Sequence, residues 1–470
     1  MALAILTDST GVSAARDAAR CGGRTGMAYQ SLFTVLRPGP GPSSVHTAGP
    51  WLAARRFVHE LAAAGQLGAV ARLAVELYGG TACVGRDSLA DGAIVAGLEN
   101  VDRSHCDAAA FARTMAAASM RRTVRLDGRH SIGFDPAADI GFRVDRTIGY
   151  DGSAMRFAAF GRDGAPVADR VYLSLGDDVV VAPGEPPGER PAPRVPYDYE
   201  PSADALVRAC RVAGGRRIAF VALANEGAIA SPGEVRARLL AIRDAMLASI
   251  DRGLLRTGTL PGGRRRSAAA QVPEDERGTA AQWCRAWALA AAEENAAGSG
   301  VVAAPSNGAA GIVAALLKHS LASRTVPRDN DAIEFLATAG ATGALLRRLG
   351  LRQVGCQGEV GVAAAMAAAG SAAVAGATPA QALYAAELAL EPHRGLACDP
   401  AGGRVESPCI ERNGLAAARA CAAAAAAVRE HEPHVALDAV ARSLLEAARS
   451  LAGQYKQASL GGVALSVPDC

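Results

Sequence analysis

The stretch VAPGEPPGERPAPRVPYDYEP, Val181 to Pro201, decides the architecture. Its prolines remove backbone donors and favour extended chain, so neither a helix nor a central strand is expected to run through it, and it reads as a linker. The sequence changes character across it. Upstream, short segments with β-branched residues, RTVRL at 122–126, IGFRV at 140–144 and DRVYLSL at 169–175, alternate with helical stretches such as WLAARRFVHELAAAG at 51–65. That alternation argues for a mixed α/β domain. Downstream, long Ala/Leu/Arg segments at helical spacing dominate, among them GEVRARLLAIRDAMLASIDRGLL at 233–255 and ALDAVARSLLEAARSLAGQY at 436–455. The expected fold is an α/β N-terminal domain followed by an all-α helical domain, with Ala tracts such as CAAAAAAV at 421–428 supplying small faces for close helix packing.

Length and charge narrow the function. At 470 residues the chain is long enough for two or three cores. Forty-nine basic residues against 46 acidic ones give a net charge of +3, too even and dispersed for a nucleic-acid or anionic-membrane partner, so a small molecule is the expected ligand. The start MALAILTDST has no basic n-region and is a poor signal peptide, which points to the cytoplasm. Val360 to Ala377 carries no charge, but its Ala and Gly content predicts a buried helix rather than a membrane span. Ten cysteines in such a chain are expected to serve metal binding, catalysis or burial rather than a disulfide framework.

Three segments carry possible chemistry. In LRPGPGPSSVHTAGPWLAARRF, a polar loop of Ser43, Ser44, His46 and Thr47 precedes a helix, where hydroxyls, an imidazole and free N–H groups can receive a small anion. Simple helix capping by Ser or Thr is the competing reading. A Ser-His-Asp hydrolase is disfavoured, because no G-x-S-x-G elbow is present. In AAEENAAGSGVVAAPSNGAAGIV, residues 291–313, two carboxylates and an Asn lead into a Gly-rich loop with Ser306, Asn307 and Gly308, which could expose N–H groups to a bound carboxylate, although as a generic pattern N-G and G-S pairs are ordinary turns. The third segment pairs Cys356, before a helix start in VGCQGEVGVAAAMAAAG, with Cys398 and Cys409 in HRGLACDPAGGRVESPCIERNG. Helix N-termini favour thiolates and donate to cluster sulfurs. Yet separations of 42 and 11 residues match no ferredoxin or zinc-finger spacing, and three buried structural cysteines remain the alternative. Cys21, Cys83, Cys106, Cys210, Cys284 and Cys421 stand in unremarkable contexts and are expected to be structural.

These segments together resemble the iron-sulfur-dependent L-serine dehydratases. The resemblance rests on SLF-x-V-x-x-P-G-x-GPSS-x-HT-x-GP at 31–50, EENAAG and AP-x-NGAAG at 293–311, VGCQGEVG at 354–361, CDP-x-GG-x-V-x-x-PCIERN at 398–413, and YK-x-x-S-x-GG-x-A at 455–464 followed by Cys470. It implies an N-terminal extension over 1–30, an α/β domain over 31–181, a linker over 182–201 and a helical catalytic domain over 202–470. It also implies a homodimer and a [4Fe-4S] cluster held by Cys356, Cys398 and Cys409, with Cys470 as a tail cysteine that reaches the cluster when substrate is absent. The implied reaction is β-elimination of L-serine to pyruvate and ammonia without pyridoxal phosphate. Expelling hydroxide needs a Lewis acid at the leaving oxygen, a base for the α-proton, and donors that hold the carboxylate. Ser43, Ser44, His46 and Thr47 are the expected catalytic loop, and Ser306, Asn307 and Gly308 the expected substrate loop.

The chain departs from the family pattern at several polar positions. Val45 replaces a serine, Ser88 a histidine in DSLAD (which keeps Asp91), and DGSAM at 151–155 replaces HPNGM. Asp177 and Asp178 replace glycines, Ala292 stands where the family has Asn, and Leu351, Arg352 and Gln353 end the stretch that replaces SISGAE. Pro392, His393 and Arg394 occupy a rewritten EHNLGLTC, and Leu460 replaces an arginine. The altered Arg394, Asp151 and Asp178 are expected to reshape the pocket, which keeps threonine, cysteine or another β-substituted amino acid open as substrate. A non-catalytic homologue with a structural metal is a third reading.

Overall fold

A computed structural model describes residues 29–452 except 85–87, 104–107, 145, 147–152, 177–178, 186–192, 276, 327, 352–353 and 431–434, together with 455 and 462. The first region runs β1 (Arg37–Pro40), α1 (Ala48–Ala63), β2 (Arg72–Tyr78), the short α2 (Gly79–Cys83), α3 (Ala90–Leu98), α4 (Ala108–Arg121), β3 (Thr123–Leu126) and β4 (His130–Gly133). It continues with the one-turn α5 (Pro136–Asp139), β5 (Ile140–Arg143), β6 (Ser153–Phe160), β7 (Pro166–Ser174) and β8 (Val180–Val181). Five strands form one sheet in the order β5-β2-β6-β7-β8, in which only the β2–β5 pair is parallel. Leu73, Val75 and Leu77 alternate inward along β2 and meet Phe57, Val58 and Leu61 of α1 and Ile94 and Leu98 of α3 in one apolar layer. The three segments expected to be strands cover β3, β5 and most of β7.

The second region is built from helices: α6 (Ala203–Val212), α7 (Ile218–Glu226), α8 (Pro232–Leu255), α9 (Ala280–Ala296), then the short strand β9 (Gly300–Ala303), and α10 (Ala310–Ala322), α11 (Asp329–Arg348) and α12 (Gly355–Val374). After these come α13 (Pro379–Leu390), α14 (Cys409–Arg429) and α15 (Leu437–Ser450). Local chemistry starts several of them: Ser231 with Glu234, Thr279 with Gln282, and Thr378 with Gln381 form reciprocal capping boxes. The uncharged stretch expected to be a buried helix is α12, fully buried from Val362 to Ala369 among its neighbours. No helix among the described residues is long and apolar enough to cross a membrane. Small residues set the packing distance. A methyl group at Gly311 of α10 would overlap the Ala288 carbonyl of α9, and one at Gly253 of α8 the Ala290 carbonyl, so these helix backbones touch at glycine.

The two regions are joined by more than the Pro-rich stretch. β1 pairs antiparallel with β9, from Arg37 opposite Ala303 to Pro40 opposite Gly300. Leu32, Val35 and Leu36 sit in the helical core, and the buried Glu226 of α7 accepts from Tyr29 Oη at 2.8 Å, Ser31 Oγ at 2.9 Å and Leu32 N at 2.8 Å. Arg347 of α11 donates to the Thr34 carbonyl at 2.7 Å. Residues 29–40 therefore precede the α/β sheet in sequence but pack with the helices.

Candidate active site

β1 leads into the polar loop 41–47, and its pairing with β9 carries that loop to the Ser306 loop that follows β9. The two loops are tied directly. Ser44 Oγ donates to Asn307 Oδ1 at 2.9 Å and accepts from Asn307 N at 3.0 Å, while Asn307 Nδ2 donates to Asn295 Oδ1 at 3.2 Å. Asn295, at the end of α9, donates in turn to the Pro42 carbonyl at 2.9 Å. Gly41 is required here, since a side chain would run into Asn295. The carboxylates before Asn295 are structural: Glu293 accepts from Ser267 N and Ala268 N, and Glu294 is ringed by Arg252, Arg256 and Arg266.

Between these loops and the starts of α12 and α14 lies a cavity of about 60 Å³. Ser43, Ser44, His46, Ser306, Gly308, Cys356, Cys398 and Cys409 all line it, so four separate stretches of sequence converge on one space. Cys356 is the second residue of α12 and Cys409 the first of α14, where unpaired N–H groups favour negative sulfur. Cys398 sits on a loop held by Gly395 N on Gln357 Oε1 at 2.9 Å and by its own N–H on the Tyr455 carbonyl at 2.9 Å. Asn413 of α14 donates to the Gly308 carbonyl at 2.7 Å and accepts from Gly311 N at 3.0 Å, fixing the substrate loop to the cysteine helix.

Thr47 and Asn307 stand behind the wall. The Thr47 hydroxyl donates to the Ser88 carbonyl at 2.7 Å and accepts from Ser43 N at 3.2 Å, so it braces the loop and does not cap α1. Ser43 Oγ accepts from the N–H groups of Val45 and His46 and closes the turn. Cys470, Asp151, Asp177 and Asp178 lie outside the described residues. Arg394 departs from expectation: it is exposed, bound to Ser443 and Glu391, and does not line the cavity. Its short helical turn points it at solvent, so of the altered positions among the described residues Val45 is the one found in the cavity wall.

Two charged lining residues were not singled out from sequence. Glu359 follows Cys356 by three residues, and Arg412 follows Cys409 by three, which on a helix puts each on the same face as its cysteine. That spacing was the available signal. The Arg412 guanidinium also donates to the Ala397 carbonyl at 2.9 Å, fastening α14 to the Cys398 loop.

The electrostatics follow from burial. The Cys398 thiol is pushed well up by its hydrogen bond with Cys356 and then by burial, and Cys409 is raised by burial and then by the Cys356 charge. Burial opposes the Arg412 charge, but the Cys356 and Cys409 sulfurs more than offset that, and its pKa is raised. His46 is half-buried in the cavity wall, and desolvation lowers it to about 4. Its Nδ1 lies 3.1 Å from Thr81 Oγ1 and 3.2 Å from Ser153 Oγ. A depressed folded-state pKa contributes stability above the unfolded value of 6.5, lost as pH falls through about 4. The full depression corresponds to roughly 3 kcal/mol. Thermal midpoints measured from pH 7 to 4 are therefore expected to fall less in His46→Gln than in the natural chain; parallel curves would refute the burial argument.

Ser306 Oγ is buried in this wall with no hydrogen-bond partner among the described residues. A buried hydroxyl left unpaired costs free energy unless a ligand completes it.

Comparison with known proteins agrees with this layout. Residues 31–185 match the family described as "Serine dehydratase beta chain" and residues 201–464 the one described as "Serine dehydratase alpha chain". The chain is 36% identical to the L-serine dehydratase of Streptomyces coelicolor over 94% of its own length and 99% of that protein. It is 35% identical to L-serine dehydratase 2 of Escherichia coli over 94% and 99%, and 37% identical to L-serine dehydratase 1 of the same organism over 93% and 99%. The chain belongs to the serine dehydratase family.

Proposed function

We propose that the chain is an ammonia-lyase that converts L-serine to pyruvate and ammonia in this cavity, with a [4Fe-4S] cluster held by Cys356, Cys398 and Cys409. The observation that carries the reading is the convergence of three thiols, a neutral imidazole and an orphaned hydroxyl on one buried space. The donor set fits the cluster: three thiols share one wall, two at helix N-termini, with the Arg412 guanidinium beside them to offset thiolate charge. When bound, the cluster supplies a Lewis acid for departure of the β-hydroxyl. The chain's own residues do the rest. Ser306 Oγ donates to the substrate carboxylate, and the Glu359 carboxylate, beside Gly308, pairs with its ammonium. His46 is neutral at pH 7; with its Nδ1–H given to Thr81 or Ser153, Nε2 keeps a lone pair for the α-proton. The loop-to-loop bonds through Ser44, Asn307 and Asn295 hold these groups in register.

Cys470 fits as a removable cap. Gly462 lies against the Asp399 carboxylate and the Tyr455 carbonyl on Cys398 N–H, so the tail passes the cysteine loop. Cys470 is eight residues further on, and eight extended residues span up to roughly 26–29 Å.

Val45 in the cavity wall, where the family resemblance has serine, favours a second reading in which the same mechanism serves a less polar β-substituted amino acid. Anaerobically reconstituted protein offered serine, threonine, cysteine and related amino acids, with ammonia and 2-oxo acid measured, separates the two. Serine is expected to turn over fastest; turnover of another member without serine would replace the first reading by the second. About four iron and four sulfide per chain are expected, and absence of sulfide would end both.

A further inference from the structure

Three helices that begin or end beside the site loops carry a second group of donors further along their length. Cys284 on α9, His319 on α10 and Cys421 on α14 bring one ligand atom each to within 4.8 Å of one another. From sequence these cysteines looked structural, because 35 residues separate Cys284 from His319 and 102 separate His319 from Cys421. Only the packing of α9, α10 and α14 assembles them.

We propose that Cys284, His319 and Cys421 form a binding site for a thiolate-preferring divalent cation of the zinc type, separate from the active cavity. Two sulfurs and one imidazole are a borderline-soft set that suits a tetrahedral ion. Around such an ion, bonds of about 2.0–2.3 Å set donor separations near 3.5–3.8 Å, so the observed grouping needs only small side-chain adjustments. Cys284 is fully buried, while His319 is partly exposed, which gives the ion an inner anchor and a path of entry. The neighbouring Lys318 is engaged by Asp251 and lies 5.7 Å from the Trp287 ring.

The placement gives the ion a task. Cys284 precedes Asn295 by 11 residues on α9, and Cys421 follows Cys409 by 12 on α14, while His319 follows Asn307, just before α10, by 12. At 1.5 Å per residue the new site stands roughly 16–18 Å along each helix from the cavity. An ion there clamps together the three helices whose other ends hold Asn295, the substrate loop and a cluster cysteine. A Cys284–Cys421 disulfide would tie only α9 to α14 and leave the converging imidazole without a role.

The test is cobalt(II) titrated into the full chain with its cluster loaded, after chelator treatment under a reducing thiol. One equivalent is expected to bind with thiolate-to-cobalt charge-transfer bands and the strong visible bands of a tetrahedral ion. Cys284→Ser and Cys421→Ser are each expected to weaken binding about 100-fold or more, and the partly exposed His319→Gln at least about tenfold. Cys356→Ser is expected to keep the cobalt spectrum. Because Cys284 is buried, His319→Gln with an unchanged circular dichroism spectrum decides the case if Cys284→Ser misfolds. A weak octahedral spectrum, a spectrum unaltered in all three variants, or a Cys284–Cys421 disulfide persisting under reductant would each overturn the proposal.

Discussion

Cys398→Ala is expected to yield a folded protein that has lost its iron, its sulfide and at least about 10³-fold of its lyase activity. A Lewis acid at a leaving oxygen is worth several kcal/mol, and each 1.36 kcal/mol is a factor of ten in rate. Cys398 is the cysteine to change because it lies on a loop rather than in a helix, and backbone groups, Gln357 and Arg412 hold that loop in addition to the sulfur's bond to Cys356. Circular dichroism and thermal midpoint are expected to stay close to those of the cluster-free natural chain, while metal and sulfide analysis reads zero. Deletion of Cys470 is the control. It is expected to leave the cluster in place and shorten its lifetime in air, as removal of a cap would. Equal cluster loss in both variants would make Cys470 a structural ligand and refute its role as a removable cap.

Glu294→Gln is expected to cost about 3 kcal/mol and lower the thermal midpoint by roughly 5 °C, without touching a group that lines the cavity. Glu294 is fully buried and receives Arg252 Nε at 3.2 Å, Arg256 at 3.0 Å and Arg266 at 3.1 Å. Glutamine keeps the shape but removes the charge, and the Arg266 side chain, only 7% exposed, is left buried without its counter-ion. Arg252 and Arg256 are much more exposed and can turn to water, which places the cost at the low end for a broken buried pair. Arg256→Gln on the same cluster is expected to cost below about 1 kcal/mol. Denaturation of the two variants side by side checks the asymmetry; equal losses would show that the buried carboxylate is not the centre of the network. Activity in Glu294→Gln is also expected to fall, because the next residue, Asn295, holds both site loops.

What was legible in the sequence was what local pattern controls. The change of periodicity across Val181–Pro201 separated sheet from helices, and the charge-free stretch from Val360 read correctly as a buried helix because Ala and Gly pack closely but do not favour lipid. Arg-Pro-Gly-Pro gave no strand signal, since proline lacks a donor, and β1 exists because β9 supplies the partner from more than 260 residues away. The cavity loops were visible as motifs, but Glu359 and Arg412 needed the helical register that places them beside Cys356 and Cys409. Arg394 looked like a pocket residue because of its place in a motif, and solvent exposure decided otherwise. The Cys284, His319 and Cys421 group had no local pattern at all, because helix packing alone creates it.

The pairing of β1 with β9 has a consequence for what the Pro-rich stretch does. If the backbone were nicked between residues 186 and 192, the two pieces would still share four strand positions, the Glu226 bonds to Tyr29, Ser31 and Leu32, and the Arg347 bond to Thr34. Tyr197, beyond the nick, would stay bound to Asn225 of α7. These contacts do not depend on the break point, so the same assembly is within reach of two separate polypeptides, provided the shorter one keeps residues 29–47.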